Sequence, residues 1–378
     1  MSAADRPSAG RPRVLVVPSS YFAHDRTVGG GERYALRYAS ALAAETPTTL
    51  ALFGAEPETH HEGALEVRTF SSRTVDPRAL LPLTAETLRA VREFDVLHLM
   101  IFPTPVTDLL IPLARLRGQT VVLTDVGGGI PGLSTYLQRI HPRVSISRLA
   151  HGLAFLSRHS AAQFGGWSQP STILYGGADV PAEGPDEASA GGYALYVGRL
   201  LPHKGVLQLI EAIAPDTPLH VVGRVYDAEY FERLEAAARG KNVRFVVDAD
   251  DEELRRQYLG ASVVLQPSIP VREGPNDTSE LLGLVTLEGM AHGKPVIVTR
   301  TASLPELVRD GETGFIVPPN DPAVLRDRIE RLVTDSALSR RMGERARRHV
   351  QENFTWAEVA RRGLELYSRL GARRNRSG

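Results

Sequence analysis

The sequence contains no cysteine. Disulfides, thiolate metal sites and a cysteine nucleophile are excluded, while the redox compartment stays open. An excess of either charge is also lacking: 44 basic residues balance 44 acidic ones, for a formal net charge of zero. No global basic field exists to hold nucleic acid or an anionic membrane, which leaves a local basic cleft as the way to grip an anion. No apolar run reaches the roughly 18 residues of a spanning helix. Residues 1–12, MSAADRPSAGRP, carry no apolar segment. They read as a disordered leader, not a signal peptide, so a cytoplasmic location is expected. Lysine is scarce: Lys204, Lys241 and Lys294 are the only three, and every other base is arginine.

What is present is a rhythm of short apolar strands and amphipathic helices. Strands are expected at 14–17, 48–53, 66–70, 95–100, 120–125, 151–156 and 171–174, with helices at 32–44 and near 106–116. Residues 181–192, PAEGPDEASAGG, break the pattern and read as a linker. The rhythm restarts with strands at 194–198, 219–223, 243–247, 263–267, 295–298 and 314–317. Three helical stretches follow, near 322–334, 337–351 and 356–370. Alternation of this kind means βαβ units and mostly parallel sheets. With 378 residues at roughly 100–200 per domain, two doubly wound α/β domains are expected, 13–180 and 193–355, followed by a closing helix at 356–370. Ligands of open α/β sheets bind outside the carboxyl ends of the strands, and two such sheets facing each other would enclose a cleft.

Three generic motifs carry little. Gly127–Gly132 fits G-x-G-x-x-G, but Pro131 interrupts it and no acid lies about 20 residues on to hold a ribose. Asp248-Ala249-Asp250 has the look of a metal-binding pair, yet Asp250 and Glu253 also have the spacing of a helix capping box. Gly289–Lys294 is one residue short of a phosphate-binding loop, and Pro295 stands where Ser or Thr is needed.

Three others carry more. Gly29-Gly30-Gly31-Glu32-Arg33 opens the first long helix, where free N–H groups and the helix dipole suit a phosphate; a plain flexible turn is the other reading. Arg199 and Lys204, in VGRLLPHKG, leave the first strand of the second domain. Two cations there suit a diphosphate, unless they are simply surface bases. Glu280 and Glu288 lie eight residues apart in ELLGLVTLE. The first is placed in a loop and the second in an apolar helix, where a carboxylate accepts the two hydrogen bonds of a diol. A capping or ion-pairing role is the alternative for Glu288.

Together VGRLLPHKG, ELLGLVTLEGMAHGKPVIV and LPELVRDGETGFIVPPNDP resemble the retaining glycosyltransferases of family 4, the group 1 glycosyl transferases with the GT-B fold. The resemblance spans roughly 13–368. It implies an α/β GT-B architecture of two Rossmann-like domains facing an interdomain cleft. The first domain would bind the acceptor and the second the nucleotide sugar, with the helix from Trp356 crossing back to the first. It implies transfer of a sugar from a nucleoside-diphosphate donor, UDP- or GDP-linked, to a hydroxyl acceptor with retained configuration, without a metal or other cofactor. Arg199 and Lys204 then hold the diphosphate, Glu280 the donor sugar and Glu288 the ribose, with Gly198, Gly283 and Leu284 beside the nucleotide. Gly30, Gly31 and Glu32 form the phosphate or acceptor loop. Asp125, His98 and Arg272 are candidate acceptor or sugar contacts; a core role for His98 and a plain surface loop at 268–279 are the competing readings. The family often has a His where Val126 stands, so either Asp125 takes over a polar role or the donor sugar lacks the hydroxyl that the His would contact. Thr301-Ala302-Ser303 replace a glycine-rich turn. Nucleic acid is not an expected partner, and peripheral membrane contact follows only for a lipid acceptor. A sugar-nucleotide epimerase of the same fold, or a catalytically degenerate nucleotide-sugar-binding protein, is the alternative reading.

Overall fold

A computed structural model describes residues 11–18, 30–74, 83–100, 103–126, 145–164, 167–182, 192–270, 280 and 282–377, the side chains of the last helix through residue 372. Contacts divide the chain into two compact units. The first comprises 1–156, 161–175 and 356–378; the second comprises 157–160 and 176–355.

The first unit is built on an eight-stranded sheet ordered β3-β4-β2-β1-β5-β6-β7-β8. Its strands are β1 (Val14–Val17), β2 (Thr48–Gly54), β3 (Glu58–Glu62), β4 (Leu65–Ser71), β5 (Val96–Leu99), β6 (Thr120–Thr124), β7 (Gly152–Phe155) and β8 (Ser171–Ile173). All pairings are parallel except β3 with β4. The central strands are short and buried on both faces, as parallel strands covered by helices must be. One face packs Leu15, Leu97, Leu99, Val121 and Leu123 against Val106, Leu110 and Ile111 of the helix Pro105–Leu116. That helix starts at Thr104, whose hydroxyl accepts from the Thr107 N–H and whose own N–H donates to the Thr107 hydroxyl. The helices Gly30–Ala43 and Trp356–Ser377 pack together. The Tyr38 and Tyr367 hydroxyls meet at 2.9 Å between them, and a Cβ on Gly363 would fall 2.0 Å from the Tyr38 oxygen.

The second unit has six parallel strands ordered β11-β10-β9-β12-β13-β14. They are β9 (Tyr193–Val197), β10 (Leu219–Gly223), β11 (Val243–Val247), β12 (Ala261–Gln266), β13 (Val296–Thr299) and β14 (Gly314–Val317). Numbered within the unit this is 3-2-1-4-5-6, the doubly wound order whose direction reverses between β9 and β12. Its core joins Tyr196, Leu209, Val221, Val263, Leu265, Ile297 and Ile329. No described helix is long and apolar enough to cross a membrane.

Candidate active site

The reversal point between β9 and β12 organises the second unit's polar groups. Beyond β9 the chain passes close over the end of β10: Gly198 donates to the Val222 carbonyl at 3.0 Å and Leu200 to the Arg224 carbonyl at 3.2 Å. A Cβ on Gly223 would lie 1.9 Å from the Gly198 oxygen, so only glycine permits this approach. The buried Tyr196 hydroxyl donates to the Arg199 carbonyl at 2.9 Å and fixes the loop, leaving the Arg199 side chain exposed. A short turn, Pro202–Lys204, then ends at Gly205 with φ of 73°. A Cβ there would sit 2.0 Å from the Pro267 carbonyl oxygen. The turn is thus pressed against the exit of β12, and Lys204 is buried.

Burial of an ammonium group demands a partner. Lys204 Nζ donates to Glu280 Oε2 in an ion pair whose side chains are only 11% and 13% exposed. Gln266 Nε2, at the end of β12, donates to the same oxygen at 3.0 Å. The Ser303 hydroxyl donates to the Glu280 carbonyl at 2.7 Å. Burial alone would raise the Glu280 carboxyl, but the Lys204 charge and the bonds from Lys204, Gln266 and the Gly283 backbone outweigh it. The net shift is downward, so Glu280 is held ionised. Tyr196 places Arg199 in the same neighbourhood: burial first, then the Glu280 charge, raises its phenol, and the Arg199 charge opposes that rise.

The helix Leu284–Ala291 begins at Gly283, in the left-handed region with φ of 57°. A Cβ on Gly283 would meet Leu307 Cδ1 at 2.5 Å. Leu284 is the first helical residue, and Glu288 lies one turn on, half-buried. The Tyr258 hydroxyl donates to Glu288 Oε2 at 2.9 Å, and the Tyr258 ring stacks on His292 with centroids 4.8 Å apart. Lys204, Glu280, Gly283 and Leu284 are therefore gathered at one sheet end, with Arg199 on the adjoining loop and Glu288 a turn along the helix. Sequence reading missed Gln266 and Tyr258, and it named Ser303 only as part of the stretch that replaces a glycine-rich turn. A polar residue closing the apolar run ASVVLQ was a usable signal for Gln266; Tyr258 carried none.

The first-unit candidates are more dispersed. Gly30, Gly31 and Glu32 form the first turn of their helix. Asp125 follows β6 and is half-buried, and Val126 is buried. His98 requires a correction: it is a core residue, 0% exposed. Its Nδ1 meets the Tyr367 hydroxyl at 2.7 Å and its Nε2 the Thr124 hydroxyl at 2.6 Å. Both ring nitrogens are used, so no contact with an acceptor is open to it. Burial lowers its pKa to about 3. Arg272 and residues 127–132 lie outside the described residues. The Asp-x-Asp pair is also accounted for: Asp250 caps the helix Asp251–Gly260, accepting from the Glu253 N–H at 2.7 Å. Asp248 pairs with Arg224 at 3.3 Å. The Glu253 carboxylate turns instead to Arg256 and Gln257, so the capping box is half made.

Two Rossmann-like units, the second carrying a lysine–carboxylate pair at its strand reversal, define the GT-B class. The sucrose-phosphate synthase of Thermosynechococcus elongatus superposes with a TM-score of 0.69 at 23% identity, covering 96% of this chain and 100% of that one. Anabaena HepE, solved with UDP and glucose, gives 0.71 at 18% identity over 94% and 99%. Residues 185–349 match the family of glycosyl transferases group 1. The D-inositol 3-phosphate glycosyltransferase of Corynebacterium efficiens is 35% identical over 187 residues, 46% of this chain. The chain covers only 42% of that relative's length. The GDP-mannose-dependent alpha-(1-6)-phosphatidylinositol monomannoside mannosyltransferase of Mycolicibacterium smegmatis is 28% identical over 310 residues, 74% of this chain and 78% of the relative.

Proposed function

We propose that this chain is a retaining glycosyltransferase that moves a sugar from a nucleoside-diphosphate donor, UDP- or GDP-linked, to a hydroxyl acceptor. The observation that carries the reading is the buried Lys204–Glu280 pair at the sheet reversal, beside the helix that bears Glu288. Breaking an anomeric C–O bond builds positive charge on the sugar and negative charge on the departing diphosphate. Lys204 and Arg199 stabilise the negative end, which supplies from the protein the charge a metal would otherwise bring. Lys204 has three N–H donors, and Glu280 occupies one; the others are left to reach phosphate oxygens. Glu280, kept ionised and fixed by Gln266, accepts from donor-sugar hydroxyls. Glu288, oriented by Tyr258, accepts from the ribose diol. The leaving phosphate takes the acceptor's proton on the same face, which retains configuration without a protein nucleophile. Donors named for relatives, GDP-mannose in one case and UDP with glucose bound to HepE in another, favour this donor class.

The test is thermal shift with UDP, GDP, ADP and TDP, each with and without EDTA, on wild type and Lys204→Ala. A nucleotide at 100 times its dissociation constant stabilises the fold by about 2.7 kcal/mol. We expect one nucleotide to act in the presence of EDTA, and turnover to fall by orders of magnitude in Lys204→Ala. No response to any nucleotide, or full turnover in the variant, overturns the proposal. Donor conversion without an acceptor would identify an epimerase.

A further inference from the structure

No step of the proposed transfer draws on Thr301-Ala302-Ser303, the turn that follows β13. Its hydroxyls are nonetheless committed. Thr299 Oγ1, at the end of β13, donates to the Ser268 carbonyl at 2.5 Å, and Thr301 Oγ1 donates to the same oxygen at 3.1 Å. The Ser303 hydroxyl donates to the Glu280 carbonyl at 2.7 Å, and the Ser303 N–H reaches that oxygen at 3.4 Å. Thr299, Thr301 and Ser303 are all buried. Ala302, between the last two, is held in the left-handed region at φ of 46°. A residue other than glycine keeps that conformation only where its surroundings fix it.

The two carbonyls serve the two halves of the Lys204–Glu280 pair. Just past Ser268, the Ile269 N–H donates to the His203 carbonyl at 3.0 Å, one residue before Lys204. On the other side of that lysine, Gly205 is pressed against the Pro267 carbonyl. Thr299 and Thr301 therefore fix the strand exit on which the Lys204 turn rests. Ser303 fixes the other partner. Among the described residues it alone hydrogen-bonds the main chain of Glu280. One short turn thus refers the ammonium group and the carboxylate to the same strand end. A buried ion pair is favourable only when its geometry is held closely, so such a common frame has a physical purpose.

We infer that Ser303 is a positioning residue for Glu280: its hydroxyl fixes the main chain from which the carboxylate reaches Lys204. Without that bond the Glu280 carbonyl keeps only the long N–H contact, and the carboxylate loses its fixed approach to Nζ. The consequence for sugar transfer rests on the donor-binding roles proposed for Lys204 and Glu280; the positioning itself does not.

The scarcity of lysine supplies the assay. Isotopic labelling of the lysine side-chain nitrogen gives three ammonium signals by NMR, from Lys204, Lys241 and Lys294. Lys241 donates to the Ile210, Glu211 and Ile213 carbonyls and Lys294 to the Leu259 carbonyl, so both serve as internal references. Lys204→Ala assigns the remaining signal. Proton exchange at each group reports how firmly it is held. Ser303→Ala is expected to speed exchange at Lys204 at least tenfold and to leave Lys241 and Lys294 at their wild-type rates. Ser339→Ala is the control for a merely structural loss. It deletes another buried serine bond of the same unit, to the Ser262 carbonyl at 2.6 Å, at the opposite end of β12, and should leave Lys204 unchanged. Acceleration of less than tenfold at Lys204 in Ser303→Ala, or the same acceleration in Ser339→Ala, overturns the assignment. The ammonium signals need no donor, so a failed nucleotide titration would overturn the transferase reading and leave this result standing.

Discussion

Replacing His98 with glutamine should flatten the acid sensitivity of the first unit. In the folded chain burial holds this imidazole neutral, with its pKa lowered from 6.5 to about 3. Unfolded, it protonates near the ordinary value. Between those two limits the unfolded state binds the extra proton, so stability is full above pH 6.5 and is lost as pH falls toward 3. From pH 7 to pH 5 the loss from this group is about 2 kcal/mol, at roughly 1.4 kcal/mol per unit well below the ordinary pKa. The assay is favoured by an accident of composition: the two tryptophans, Trp167 and Trp356, both lie in the first unit. Tryptophan emission during urea unfolding therefore reports on the unit that holds His98. Wild type and His98→Gln, each measured at pH 5, 6, 7 and 8, should differ by an amount that shrinks by about 2 kcal/mol between pH 7 and pH 5. Glutamine still reaches for the Thr124 and Tyr367 hydroxyls but does not titrate, so any constant penalty cancels. A difference independent of pH would refute the claim that His98 is buried uncharged.

Three further outcomes are expected. Gly205→Ala places a Cβ 2.0 Å from the Pro267 oxygen at φ of 73°; the left-handed conformation alone costs about 1–2 kcal/mol, so a lowered melting transition and weakened nucleotide binding should appear together. Tyr258→Phe deletes the donor to Glu288 and should weaken nucleotide binding about tenfold, in line with a bond to a charged group; unchanged affinity would remove Tyr258 from the site. Glu280, its pKa lowered in the folded state, contributes stability above its ordinary value of 4.5 that is lost as pH falls through the folded value. Protection factors of the amides in the helix Leu284–Ala291, which divide out the intrinsic exchange rate, should fall below pH 4.5 in wild type and vary less with pH in Glu280→Gln.

Much of the fold was legible because its parallel strands announce themselves as apolar runs. The bounds expected for 14–17, 219–223, 243–247 and 314–317 are those observed. β3 was not legible: ETHHE is exposed at all five positions, so it has no buried face and no alternating apolar signal. It exists because Gly63, at φ of 62°, turns the chain back along β4. In the candidate site, residue types at strand ends pointed to Lys204 and Glu280 separately. Their contact, across 76 residues of sequence, depends on β12 lying beside β9 and on Gly205 letting the turn settle against it. His98 misled because a histidine near a strand end has the same appearance in sequence whether it faces solvent or a pair of tyrosines.

The helix Trp356–Ser377 belongs to the first unit, although the whole span 176–355 precedes it in the chain. On the ribosome, the second unit has every residue it needs while the first is still missing its closing helix. Until that helix emerges, Tyr38 and His98 have no Tyr367 to meet and the helix Gly30–Ala43 keeps an uncovered apolar flank. The order of synthesis is thus inverted in the order of completion: the part translated first is finished last, and in the interval it presents surface that a chaperone would recognise.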